Sequence, residues 1–164
     1  MPKYNTGCMP NTDFRYEEFE GLLGSFHLSL FPLRDSAKPE DQRDYQKVME
    51  ILNGFAQRYG VQSPEEAAKN PRARKYWGNA HVMKNWSTLD MMASFWKDFG
   101  VGAEPGTEDH REQYELRITI LLVFDRYGIA QVGYEEHQGE RLPVKVDYWN
   151  LEKSRKTLVD VLNE

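Results

Sequence analysis

From Pro39 to Tyr59 apolar side chains recur at three- and four-residue steps: Tyr45, Val48, Met49, Leu52, Phe55, Ala56 and Tyr59. That is the period of an amphipathic helix. Pro39 suits its first turn, Glu40 and Asp41 lie near the positive end of its dipole, and Gly60 is placed to close it in the left-handed conformation. Ahead of it, Asp13 stands as an N-cap before Phe14, Glu17, Glu18 and Phe19, and Gly21 and Gly24 restrict that helix to about two turns. Over residues 25–31 the pattern changes to period two, with Phe26, Leu28 and Leu30 on one face, which predicts a strand ended by Pro32.

Two capping boxes follow. Ser63-Pro64-Glu65-Glu66 opens a brief helix that Asn70-Pro71 must end, and Ser87-Thr88-Leu89-Asp90 opens a longer one. The stripe of this second helix is Leu89, Met92, Phe95, Trp96 and Phe99, and it stops at Gly100. Residues 100–111 have loop composition. Beyond them, residues 114–124, 129–135 and 142–149 are rich in β-branched and aromatic side chains and predict three strands, with turns at Arg126-Tyr127-Gly128 and Gln138-Gly139. Pro143 assigns the third strand to an edge or a bulge. A last helix over residues 151–162 carries Leu151, Leu158, Val161 and Leu162 on one face and is expected to cover the sheet.

Helices grouped first and strands second predict an α+β fold: a mostly helical N-terminal portion, then a three-stranded antiparallel meander, which the strand at 25–31 can join, covered by the C-terminal helix. The 164 residues suit a single domain. Within it a helical subdomain of about 1–100 and a sheet-plus-helix subdomain of about 112–164 would be joined by the 100–111 loop.

Composition narrows the chemistry. A single cysteine, Cys8, excludes an intrachain disulfide framework and any zinc site that needs several thiolates. Residues 1–8 offer no apolar core for a secretory signal, and the longest apolar run falls far short of a bilayer span, so the expectation is a soluble cytoplasmic protein without a membrane partner. The net charge is −5. It is unevenly placed: residues 101–164 hold eight Lys and Arg against thirteen Asp and Glu, while residues 61–100 hold six against four. An acidic total argues against non-specific binding to DNA or anionic lipid.

Catalytic patterns are incomplete. His110, within Glu108-Asp109-His110-Arg111-Glu112, and His137, beside Glu135 and Glu136, each have carboxylate neighbours. If the loop and the second turn met, His110, Glu112, Glu135 and His137 would make a cluster suited to a small metal-dependent hydrolase. Solvated loop residues are the simpler reading. His27-Leu28-Ser29-Leu30 resembles one half of the tandem histidine motif of the two-histidine phosphoesterases, which place an acid and a base on either side of one phosphate, and this chain lacks the second copy. Neither a nucleophile elbow nor a phosphate-binding loop occurs. No cofactor and no resident metal are expected.

The remaining signal lies between Lys69 and Trp86, where Arg72, Arg74, Lys75, Tyr76, Trp77, Lys84 and Trp86 interleave cations with aromatic rings. Such residues dominate protein interfaces, and they also suit single-stranded nucleic acid, where cations meet phosphates and rings stack on bases. The leading expectation is a non-catalytic protein that binds another protein, as an inhibitor, an immunity-type or anti-defence-type factor, or an assembly subunit. The metal-dependent hydrolase and a nucleic-acid binder using residues 69–77 are the rivals.

Overall fold

The structure, a computed structural model, describes residues 14–71 and 84–164. Its elements in chain order are α1 (Tyr16–Leu30), a 3-10 turn (Phe31–Asp35), α2 (Pro39–Tyr59), α3 (Pro64–Ala68), α4 (Asn85–Ser94), a π-helical turn (Phe95–Phe99), α5 (Glu108–Arg126), β1 (Ala130–His137), β2 (Glu140–Trp149), a 3-10 turn (Lys153–Arg155) and α6 (Leu158–Leu162). The architecture is mixed helix and sheet, as an α+β fold requires, but among the described residues the sheet has two antiparallel strands and not three. None of the described helices is long and apolar enough to cross a membrane.

Both missing strands are helical. Residues 114–124 lie inside α5, where Gln113, Leu116, Ile120 and Phe124 are all buried at helical spacing. A run of β-branched residues fits either period, and burial along one helical stripe decides it. The helix starts three residues before the predicted loop ends, because the Thr107 hydroxyl accepts from the His110 amide at 3.1 Å. Residues 25–30 likewise continue α1, whose stripe is Phe19, Leu22, Leu23, Phe26 and Leu30.

Gly24 does not break α1. A Cβ there would stand 2.8 Å from the backbone of Ala67 and Ala68, so the glycine lets α1 and α3 approach backbone to backbone. Under that contact the aromatic core forms: Phe26 stacks on Phe95 at 5.4 Å between centroids, and Phe19 meets Tyr59, Phe95 and Phe99 edge-on or tilted. One buried cluster takes in side chains from both sides of the 100–111 loop, from Phe14 to Val161.

The α2 helix and its left-handed Gly60 cap are as the sequence predicts, and so is the Ser63 cap of α3, whose hydroxyl accepts from the Glu66 amide at 3.3 Å. The second capping box does not cap. The α4 helix begins at Asn85 instead, because the Asn85 amide donates to Lys156 O at 2.8 Å and its side chain donates to Lys153 O at 3.1 Å. The C-terminal helix is also shorter than expected. Asn150 Oδ1 gathers the amides of Glu152 and Lys153, both at 3.0 Å, into the 3-10 turn, and Thr157 then caps a separate α6. The hairpin lies on α5, and α6 packs on the Phe31–Asp35 turn. The C-terminal segment therefore does not serve as the expected cover of the sheet. In the hairpin, Pro143 pairs with Tyr134 beside a register shift, where the ladder tolerates a residue without an amide hydrogen.

Two ion networks fasten α2 antiparallel to α5. In the first turn of α2, Asp41 is fully buried and accepts from Arg126 Nε at 2.9 Å, Arg126 Nη2 at 2.6 Å, Ser36 Oγ at 2.5 Å and the Tyr127 hydroxyl. Asp44 takes a further bond from Arg126 at 2.7 Å. In the last turn of α2, Arg58 donates to Asp109 at 2.8 Å and faces Glu112, and the Tyr59 hydroxyl donates to Asp109 at 2.6 Å. Acids sit at helix N-termini and arginines at C-termini in both, so the networks also agree with the helix dipoles.

Candidate interaction surface

The four residues of the hydrolase reading have separate surroundings. His110, in the first turn of α5, turns its ring edge-on to Trp96 at 5.6 Å. Glu112 is 8% exposed and is committed to Arg58, whose Nη2 stands 2.7 Å from its Oε1. Neither of those two atoms meets a partner in good hydrogen-bond alignment, so the contact is close but poorly directed. Burial raises the Glu112 carboxyl above its ordinary range, and the Arg58 charge offsets this only in part. Glu135 and His137 are neighbours on the exposed end of β1, 3.6 Å apart. Among the described residues no group of three or more His, Cys, Asp or Glu is arranged to hold a metal ion.

His27 lies on α1 and not on a strand. Its Nδ1 stands 3.4 Å from Met49 Sδ, its ring packs near Phe31 and Tyr45, and burial lowers its pKa below the ordinary imidazole value. A neutral imidazole against a thioether is a packing arrangement, which accounts for a histidine within an apolar stripe.

Of the interleaved basic and aromatic residues, Arg72, Arg74, Lys75, Tyr76 and Trp77 lie outside the described residues. Lys84 and Trp86 are described. Lys84 is exposed immediately before α4, and Trp86 is 41% exposed in its first turn. Trp96, expected in the buried stripe, is instead 39% exposed. The stripe of α4 and the π-helical turn runs through Thr88, Met91, Met92, Phe95 and Phe99, which leaves Trp96 at its margin.

The chain around Trp86 brings in residues that periodicity does not mark. Asn85 is bonded to both Lys153 and Lys156, so Trp86 sits beside the turn that follows β2. Two residues before Lys153 is Leu151, 66% exposed, and three before that is Tyr148, 71% exposed. These are the most exposed large apolar side chains among the described residues. Arg155 is exposed on the same turn. Trp149 between them faces inward, edge-on to Phe124 at 5.8 Å. The alternation of Tyr148 and Trp149 across a strand was the available signal for an outward tyrosine. The outward Leu151 has none, because the pattern places it on the apolar face of a 151–162 helix.

At the other end, the hairpin tip is acidic. Glu135, Glu136 and Glu140 are all exposed, with Arg141 lying over the Tyr134 ring at 4.2 Å. The Val144 carbonyl on β2 accepts from Arg117 of α5 at 3.4 Å. No protein-family model, no curated protein and no solved structure matches this chain.

Proposed function

We propose that the protein acts by binding another protein without catalysing a reaction, as an inhibitor, an immunity-type or anti-defence-type factor, or a subunit of a larger assembly. The observation that carries the reading is the exposure of Trp86, Tyr148 and Leu151 about the Lys153–Arg155 turn. Scattered apolar side chains are normal on a surface, but two that leave most of their area in water within four residues, with a tryptophan beside their turn, favour a partner that covers them. Tyrosine and tryptophan bring large contact area at small entropic cost, and Lys84 and Arg155 give such a patch a cationic rim.

The test is affinity capture from the native host with the wild-type chain and with Tyr148→Ser/Leu151→Ser, both shown by circular dichroism to be folded. The expected result is a stoichiometric companion that the double variant loses, with Trp86→Ala weakening it by about 2 kcal/mol. If no companion appears at stoichiometric amount, or if the double variant keeps it, the reading is wrong.

A further inference from the structure

With none of Trp86, Tyr148 and Leu151 in its lining, an open cleft of about 770 Å³ is bounded by the Phe31–Asp35 turn, α6 and Lys153. This is within the size range of small-molecule sites, roughly 300–1,000 Å³. Phe31 and Pro32 of the turn and Val159 and Leu162 of α6 give it apolar lining, beside the polar Asp35, Asn163 and Glu164.

Two ammonium groups belong to its lining, both in contact with Tyr127. Lys38 Nζ lies over the Tyr127 ring, 4.6 Å from the centroid, and Lys153 Nζ donates to the Tyr127 carbonyl at 3.2 Å. No carboxylate among the described residues pairs with Lys38. The acids of the cleft already have other cations: Asp35 is paired with Arg34 at 3.2 Å, and Glu164 is held by Lys156 at 2.7 Å, with Lys153 farther off at 3.6 Å. This part of the lining is also fixed before any ligand arrives, since Ser36 and Tyr127 are both hydrogen-bonded to the buried Asp41.

We propose that this cleft binds a small organic anion with an apolar body, an aryl or alkyl carboxylate, its charge meeting Lys38 and Lys153 and its body lying between Phe31, Pro32, Val159 and Leu162. Two point charges, with no guanidinium fork among the described lining residues, suit a single carboxylate better than a phosphate, which guanidinium groups recognise in two-pronged fashion. The proposal does not depend on the protein-binding reading: the two share the Lys153–Arg155 turn, but none of Trp86, Tyr148 and Leu151 lines the cleft.

The experiment is a nuclear magnetic resonance titration of the full chain with 2-naphthoate, and with 2-naphthalenemethanol as its uncharged analogue. The amides of Lys38, Val159 and Leu162 should shift saturably at one equivalent, with the alcohol at least about tenfold weaker. Lys38→Glu should weaken 2-naphthoate by about tenfold or more, Lys38→Arg should keep it within about threefold, and Val159→Asp should abolish it. Lys38 and Val159 are exposed, so these variants keep the fold. The absence of saturable shifts, shifts centred elsewhere, an alcohol that binds equally well, or indifference to Lys38→Glu would each overturn the proposal.

Discussion

The two networks that join α2 to α5 each set one arginine and one tyrosine hydroxyl against two carboxylates, and they differ in how completely they satisfy them. At the start of α2, one fully buried carboxylate, Asp41, collects four donors from Arg126, Ser36 and Tyr127. At the end of α2, Arg58 must serve both Asp109 and Glu112, and its contact with Glu112 lacks hydrogen-bond alignment. Burial opposes ionisation in both places. For Asp41 the bonds from Ser36, Tyr127 and Arg126 outweigh it and hold the carboxyl below its ordinary value, whereas for Glu112 they do not, and the carboxyl rises. Proximity of opposite charges is therefore not the stabilising factor by itself. The number of directed donors per buried oxygen decides the sign.

The largest expected effect is at the satisfied network. Asp41→Ala strips the acceptor from three side chains and should cost about 3–5 kcal/mol in urea unfolding, the range for breaking a buried ion pair from one side. A loss below about 1 kcal/mol would show that Asp44 alone can hold Arg126. The same carboxylate governs the acid limb. Because its folded pKa lies below its unfolded value, the unfolded chain binds the extra proton, and its stabilisation is complete above about pH 4 and lost as pH falls through the folded pKa. Wild-type stability should therefore drop below about pH 4 more steeply than that of Asp41→Asn, and parallel slopes would refute the assignment.

Arg58→Ala should cost less, about 1–3 kcal/mol. Both Asp109 and Glu112 lose the Arg58 cation, but Asp109 keeps the Tyr59 hydroxyl as a donor. A thermal melt in which Arg58→Ala falls further than Asp41→Ala would reverse the ranking of the two networks.

Neither network is legible in the sequence, although the helix that joins them is. The α2 helix declares itself through Tyr45 to Tyr59 and its proline and glycine ends because its stripe is local and long. Its partner α5 hides behind a β-branched run, Ile118-Thr119-Ile120, that fits a strand equally well until Gln113 and Phe124 are seen buried on the same stripe. Gly24 misleads for a related reason. Its role is set by Ala67 and Ala68, more than forty residues away, and a local rule that treats glycine as a breaker has no access to that contact. The β1–β2 hairpin with its Gln138-Gly139 turn, by contrast, is written in adjacent residues and is read correctly. The exposed side chains proposed to meet a partner follow the same division. Trp86 is visible as a tryptophan among cations, while Leu151 joins it only because Asn85 bonds to Lys153.

The smallest change is the sharpest discriminator. Glu112→Gln removes a charge that the folded state accommodates poorly, while its amide can still reach Arg58, so stability at neutral pH should move by no more than about 1 kcal/mol and in the stabilising direction. Its pH dependence has the sign opposite to that of Asp41. A folded pKa raised above the unfolded value means that the folded chain binds the extra proton, so the cost of ionised Glu112 is present above the folded pKa and relieved as pH falls through it toward about 4.5. Wild-type stability should thus rise slightly on mild acidification before the Asp41 limb takes over, and Glu112→Gln should flatten that rise. A clear destabilisation by Glu112→Gln at neutral pH would mean that the misaligned contact with Arg58 is worth as much as the four bonds to Asp41, and the contrast between the two ends of α2 would fail.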